Sequence, residues 1–216
     1  MPQRLRWLSM KRAGRILLVR HGESTGNVER QFSRDSSIDL TERGVAQARA
    51  TGEAIAKAYA PTRIIASSYY RAQRTAGLIA ECLEGAFRIE VEEDLRERSI
   101  GDLAGEPYGA MAAHPDYDPE RYWAWRPPQG ESLEDVQERA GAVLQRVAAA
   151  YPDQDVVLVS HGGTMLALCA HVEGSFERPR VAGNCEVVVV EHDAGRNLSV
   201  VASATPSTAG AEETGG

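Results

Sequence analysis

Two segments far apart in the chain share one construction, an apolar run that stops at a histidine followed by glycine. The first is Ile16 to Asn27, ILLVRHGESTGN, and the second is Asp155 to Thr164, DVVLVSHGGT. Short apolar runs bounded by such punctuation read as buried strands. In a sheet covered by helices on both faces, ligands sit where the carboxyl ends of the strands open into a crevice. His21 and His161 are therefore expected to meet at one crevice, with Arg20 as a fixed cation beside His21. Gly22 and Gly26 are expected to let the backbone come close to a bound group. A site of this make-up suits an oxyanion.

Strand and helix patterns alternate between and around these runs. Arg15 to Arg20, Thr62 to Ser67, Arg88 to Val91, Asp155 to Ser160, Cys185 to Glu191 and Leu198 to Val201 read as strands. Leu40 to Ala60, capped by Thr41, reads as a helix, as do Tyr70 to Leu83, Glu131 to Ala150 and Thr164 to Val172. In the third of these, Ser132 is the cap candidate, with Asp135 where a capping box prefers Glu. The alternation predicts an α/β fold, a three-layer α/β/α sandwich with a mostly parallel central sheet. Residues 98 to 130 carry Pro107, Pro115, Pro119, Pro127 and Pro128 and read as an irregular lid insertion.

A chain of 216 residues with 43% hydrophobic content supports one domain, placed at 15–202. Residues 1–14 form a basic extension without the apolar stretch of a signal peptide, and Met10 offers a second start. A cytoplasmic location is the resulting expectation. Residues 203–216, rich in Ser, Thr, Ala and Gly, read as a disordered tail. The formal net charge of −7 and the absence of a basic stripe argue against nucleic-acid binding, and no segment suggests a membrane. Cys82, Cys169 and Cys185 form no CxxC pair and read as small core side chains.

Four motifs together resemble the histidine phosphatase superfamily: RHGESTGN, SSYYRAQRTA at Ser67 to Ala76, DLRERSIGDLAG at Asp94 to Gly105, and SHGGT at Ser160 to Thr164. That superfamily holds cofactor-dependent phosphoglycerate mutases and many phosphatases, and the resemblance covers about residues 15 to 202. Transfer of a phosphoryl group needs its charges held, a nucleophile in line and a proton for the leaving alkoxide. His21 is the nucleophile candidate, since a neutral imidazole nitrogen attacks phosphorus without first losing a proton. A backbone carbonyl in the loop from Gly22 to Asn27 is expected to hold its other nitrogen.

Arg20 and Arg71 would clamp phosphate oxygens bidentately, Arg71 from the start of a helix. His161 is open to two roles, second nucleophile or phosphate donor, and the resemblance implies the donor. It also implies phosphate contacts from Asn27 and assigns the proton to Glu97, which like-charge repulsion from the phosphate keeps protonated. Ser24 and Thr164 are lesser candidates, and Glu23 reads as an outlying charge. No cofactor is expected. No metal is expected either, because cations placed for phosphate repel one.

The chain departs from the pattern at QFSRDSSIDLT, with Arg34 and Ser36, where relatives carry Gln-Gly and Asp, so the outer pocket is expected to differ. Within the lid, Tyr122, Trp123, Trp125 and Arg126 are candidates to meet the organic part of a substrate, unless these aromatics clasp the lid to the body. The expected reaction is metal-independent hydrolysis of a small phosphorylated metabolite. A shorter lid than that of the mutases favours hydrolysis over isomerisation. A phosphoglycerate mutase and an inactive binding module are the alternatives. Dimers are common among relatives, so a homodimer is a further expectation.

Overall fold

The computed structural model describes residues 13–33, 35–178, 180–193 and 197–206. Six strands form one sheet: β1 (Gly14–Arg20), β2 (Pro61–Ser67), β3 (Ile89–Glu92), β4 (Asp155–Ser160), β5 (Val187–His192) and β6 (Leu198–Ala204). Their order is β3-β2-β4-β1-β5-β6. The pairings β3 to β2, β2 to β4 and β4 to β1 are parallel, whereas β5 runs antiparallel to both β1 and β6. The mostly parallel α/β sheet expected from the alternation is what the chain forms.

Alternation along β1 and β4 divides the core. Ile16, Leu18, Val156 and Leu158 face α5 (Leu133–Ala150) and α6 (Gly162–Glu173), packing on Leu144, Met165 and Leu168. Leu17, Val19, Val157 and Val159 face α2 (Glu42–Ala58) and α3 (Tyr70–Ala80), packing on Ile55, Ala72, Ala76 and Ile79. Every residue of β4 is buried, which explains why its sequence shows no polar alternation. Each such Leu or Ile contributes about 1.5–3 kcal/mol on burial. A helix cap contributes about 1 kcal/mol, so packing dominates while caps set the boundaries.

Those caps lie where the sequence puts them. Thr41 Oγ1 accepts from Gly44 N at 3.0 Å. Ser132 Oγ accepts from Asp135 N at 3.1 Å while Asp135 Oδ2 accepts from Ser132 N at 2.7 Å, so the shorter acid closes the capping box. At the amino-terminal edge of the sheet, Arg15 grips Asp155 through two bonds of 2.8 and 2.7 Å.

Several boundaries differ from the sequence reading. The loop after His21 contains a short helix, α1 (Thr25–Glu29). α3 ends at Ala80 rather than Leu83, and β5 begins at Val187 because Cys185 takes a left-handed φ of 57°. β6 runs to Ala204, so Ser203 belongs to a strand rather than to a tail, and Gly14 belongs to β1 rather than to the extension. The rest of the basic extension to residue 12, the tail from 207, and Arg34 lie outside the described residues.

The insertion between Glu97 and Ser132 is irregular. It holds one helix, α4 (Gly109–Ala112), and two single helical turns. Arg98 fastens it from within, donating Nε to Glu131 O and Nη2 to Trp125 O, both at 2.7 Å. No helix among the described residues is long and apolar enough to cross a membrane. The three cysteines are free, and burial pushes the thiols of Cys169 and Cys185 up to about 11 and about 12.

Candidate active site

β1 and β4 are in parallel register with Arg20 opposite Ser160, so the residues that follow, His21 and His161, leave the sheet side by side. His21 N donates to Ser160 O at 2.9 Å, and the two imidazoles meet edge to face with centroids 5.2 Å apart. α3 begins just past the end of β2 and delivers Arg71 to the same spot. His21, Arg71 and His161 are 3%, 3% and 0% exposed, so the cluster lies beneath the surface.

The tautomer of His21 is fixed. Gly22 O, which only accepts, lies 2.7 Å from Nδ1, so Nδ1 carries the hydrogen. Arg71 Nε donates to Nε2 at 3.2 Å, marking Nε2 as the nitrogen with the free pair. Burial, reinforced by the charges of Arg71 and then Arg20, holds the imidazole well below its ordinary value, against the opposing pull of the Gly22 carbonyl. His161 is held down in the same way, by burial first and then by Arg71, His21, Arg20 and Arg139. Both rings are therefore neutral at pH 7.

Polar nitrogens around these rings are left over. Arg20 Nη1 donates to Ala182 O at 2.7 Å, but Arg20 Nε has no partner among the described residues, nor do Arg71 Nη1 and His161 Nδ1. Buried polar groups are almost always satisfied, so three such atoms in one place call for partners from outside the protein, acceptors in the case of the two guanidinium nitrogens. The only other nitrogens of this kind among the described residues belong to His192, at the opposite edge of the sheet.

Asn27 is oriented by its own helix. Its Oδ1 accepts from Ser24 N at 3.2 Å and from Asn184 Nδ2 at 3.1 Å, which leaves the amide nitrogen to face the cavity it lines. Asn184 also donates to His21 O at 3.0 Å, tying α1 to the loop that carries His21. Glu97 sits at the amino terminus of α6. Its Oε1 accepts from Arg98 N at 2.9 Å and Thr164 N at 3.1 Å, and its Oε2 from Gly163 N at 3.2 Å. Arg139 supports this segment from α5, donating to Glu97 O at 3.2 Å and to Asp94 O at 2.6 Å while paired with Glu131 at 2.9 Å.

A cavity of about 780 Å³ opens above the cluster, lined by Arg20, His21, Asn27, Arg71 and Glu97. Of the outer candidates Ser24, Tyr122, Trp123, Trp125 and Arg126 it contains Tyr122 and none of the others. Ser24 is 1% exposed and caps α1. Trp125 packs its ring against Tyr117 and His114 within the lid. Arg126 points outward to Asp135 at 2.6 Å. Trp123 stacks on Phe176, 5.9 Å between centroids, so the aromatic segment clasps the lid to the body. Gly22 and Gly26 do not line the cavity. A Cβ on Gly22 would lie 2.4 Å from Gly44 O, so its role is the close approach of the catalytic loop to α2.

Four contributors escaped the sequence reading. Thr75, one turn after Arg71, accepts from Gly22 N at 3.1 Å, and Ser67 Oγ lies 2.7 Å from His161 Nε2. Both stand inside the SSYYRAQRTA segment, which was the available signal. Asn184 and Arg139 carry none, because their partners lie 157 and 42 residues away. Among the described residues no three His, Cys, Asp or Glu side chains group to hold a metal ion.

The family model described as histidine phosphatase superfamily (branch 1) matches residues 16–204. The chain belongs to the histidine phosphatase superfamily. Among curated members it is 36% identical over 176 residues to a 2,3-bisphosphoglycerate-dependent phosphoglycerate mutase of Methylobacterium radiotolerans, covering 75% of this chain and 80% of that one. It is 34% identical over 159 residues to the uncharacterized phosphatase PhoE of Bacillus subtilis, covering 74% and 77%. Among solved structures, a mycobacterial glucosyl-3-phosphoglycerate phosphatase in complex with VO3 matches with a TM-score of 0.76 at 26% identity, covering 86% of this chain and 96% of that one. Members of the superfamily similar to this chain thus include both mutases and phosphatases.

Proposed function

We propose that this member is a metal-independent phosphomonoesterase working through a phosphohistidine on His21. The observation that carries this is the trio of unpartnered buried nitrogens, Arg20 Nε, Arg71 Nη1 and His161 Nδ1, gathered round a neutral imidazole. A phosphoryl group brings the oxygens these donors lack.

In the first step the lone pair of His21 Nε2 forms a bond to phosphorus as the ester P–O bond breaks. Glu97 gives its proton to the departing alkoxide. Arg20, Arg71, His161 and the Asn27 amide take up the charge on the three equatorial oxygens, and such preorganised donors are worth several kcal/mol, about 2.7–4 for one well-placed group. In the second step water attacks phosphorus, the N–P bond breaks, and the Glu97 carboxylate accepts the proton. Orthophosphate leaves and the imidazole is restored. Ser67 acts on His161: its hydroxyl donating to Nε2 leaves the hydrogen on Nδ1, the form that donates to an oxyanion.

A phosphoglycerate mutase is the second reading, favoured by the name of the Methylobacterium relative. A mutase must keep water from its phosphohistidine until the phosphoryl group returns. The short insertion here, with one four-residue helix, favours hydrolysis. Phosphate release from an aryl phosphate in EDTA, by wild type and by His21→Ala, separates the possibilities when paired with 3-phosphoglycerate, with and without 2,3-bisphosphoglycerate. The proposal expects EDTA-resistant release that the substitution abolishes. Release that needs a metal ion, or isomerisation that outpaces hydrolysis, would count against it.

A further inference from the structure

Beyond the phosphate cluster the cavity changes character. Phe32, Ile100, Tyr108, Met111, Leu166 and Val181 line it, coming from the segment after α1, the lid, α6 and the segment between α6 and β5. Phe32 and Tyr108 meet edge to face at 5.1 Å, which fixes an aromatic corner, and Val181 is 66% exposed at the rim. Leu133 and Tyr122 carry the same surface on toward α5, with the Tyr122 hydroxyl spent on Phe176 O at 2.9 Å. Separate parts of the chain have thus placed apolar groups around one space that opens directly onto His21.

The charges facing that space are accounted for. Arg20 and Arg71 stand at the nucleophile, and Glu97 is the proton donor. Arg98, the remaining cation among the described lining residues, has its guanidinium committed to the carbonyls of Glu131 and Trp125, both at 2.7 Å. Releasing it would unfasten the lid. A glycerate or a second phosphate entering here would put its anion among Phe32, Met111 and Ile100, losing hydration with only the neutral Gln31, Ser33 and Ser99, and no uncommitted cation among the described lining residues, to replace it. An uncharged ring or alkyl chain entering the same space gains by leaving water. The cavity of about 780 Å³ holds a phosphoryl group and a group of two-ring size together.

We infer that the substrate is a phosphate monoester of an apolar alcohol, aromatic or long-chain, rather than a phosphoglycerate or other polyanionic metabolite. The inference rests on the phosphomonoesterase reading and narrows it. Phe32 and Met111 are then specificity-determining residues, contacting the organic group and not the phosphoryl group.

Primary alkyl esters test this without the advantage that an aryl leaving group confers. The comparison is kcat/KM of the full chain for 3-phenylpropyl phosphate, glycerol 3-phosphate and 3-phosphoglycerate, by phosphate release. The phenylpropyl ester should be preferred by at least about 10-fold over each of the others, the range of one buried apolar group. Phe32→Ser and Met111→Ser should each shrink that ratio, by raising KM for the phenylpropyl ester more than for glycerol 3-phosphate. Equal or reversed preference in wild type, or a ratio that both variants leave intact, would overturn the inference while phosphate release itself still stood. Release from none of the three esters or from an aryl phosphate would overturn the phosphatase reading and the inference with it.

Discussion

Arg71 Nε donates to His21 Nε2 across 3.2 Å, so a permanently charged guanidinium rests on the lone pair that would attack phosphorus. The contact keeps the imidazole unprotonated and aimed. On the proposed mechanism it also places Arg71 where an incoming phosphoryl oxygen would replace the imidazole as its acceptor, exposing His21 Nε2 as substrate arrives.

Arg71→Lys retains charge but loses the planar fork, and kcat/KM should fall about 100-fold. Arg71→Ala removes the charge as well. Because Arg71 is second only to burial in lowering the His21 pKa, that pKa should rise in the alanine variant. The acid limb of its pH profile of kcat/KM should then lie at higher pH than in wild type, whereas in the lysine variant it moves little. Coincident acid limbs in all three proteins would contradict this assignment.

On the proposed mechanism Ser67 positions His161. In Ser67→Ala, His161 Nε2 loses its only described partner and the ring is free to carry its hydrogen there, turning a lone pair toward the phosphate. A kcat reduced about 10- to 100-fold with KM nearly unchanged is expected, with Ser67→Thr restoring most of it. A uniform rise in KM, or no rescue by threonine, would show that the hydroxyl merely packs.

Gly163 lies beneath Glu97, the proposed proton donor. A Cβ there would stand 2.8 Å from Glu97 Oε1, and the flexible carboxyl group would yield before the helix does. Gly163→Ala should therefore leave the melting temperature within a few degrees of wild type while lowering kcat at least about 10-fold. Loss should be greatest for alkyl esters, which need the proton, and least for nitrophenyl esters, which do not. Equal loss on both would argue against a displaced acid.

The two buried imidazoles also tie stability to pH. Their folded-state pKa values are lowered, so as pH falls below about 6.5 the unfolded chain takes up protons that the folded one refuses. Stability is lost in that direction until the folded pKa is reached, at up to about 1.4 kcal/mol per pH unit for each ring. His161→Gln removes one ring. Between pH 7 and pH 5.5, urea unfolding should show wild type losing more stability than the variant, by about 1 kcal/mol. Parallel losses would mean that His161 titrates normally.

How far the sequence discloses this site depends on how local each part is. β4 was readable to the residue, Asp155–Ser160, because an apolar run bounded by polar punctuation defines itself. Thr41 and Ser132 were readable as caps because a cap acts three residues away. α1 was hidden in a polar loop because its five residues bury almost nothing, and its order comes from Asn184, 157 residues away. The outer pocket misled for a related reason. Trp125 and Arg126 advertise themselves by residue type, yet a tryptophan buries more surface within the lid than at a cavity wall, and Arg126 finds Asp135 on α5. The residues that do line the cavity, Phe32, Ile100, Tyr108 and Met111, are scattered singly and carry no periodic signal.

The measurement that bears most directly on the central claim is trapping of the phosphoenzyme. Wild type mixed with a radiolabelled phosphate monoester in EDTA and quenched in alkali within one turnover should carry label that is stable to base and labile to acid, located on His21 by peptide mapping. Label should be absent from His21→Ala and should accumulate when water attack is slowed. Turnover by wild type with no such label, or steady hydrolysis by His21→Ala, would contradict the account.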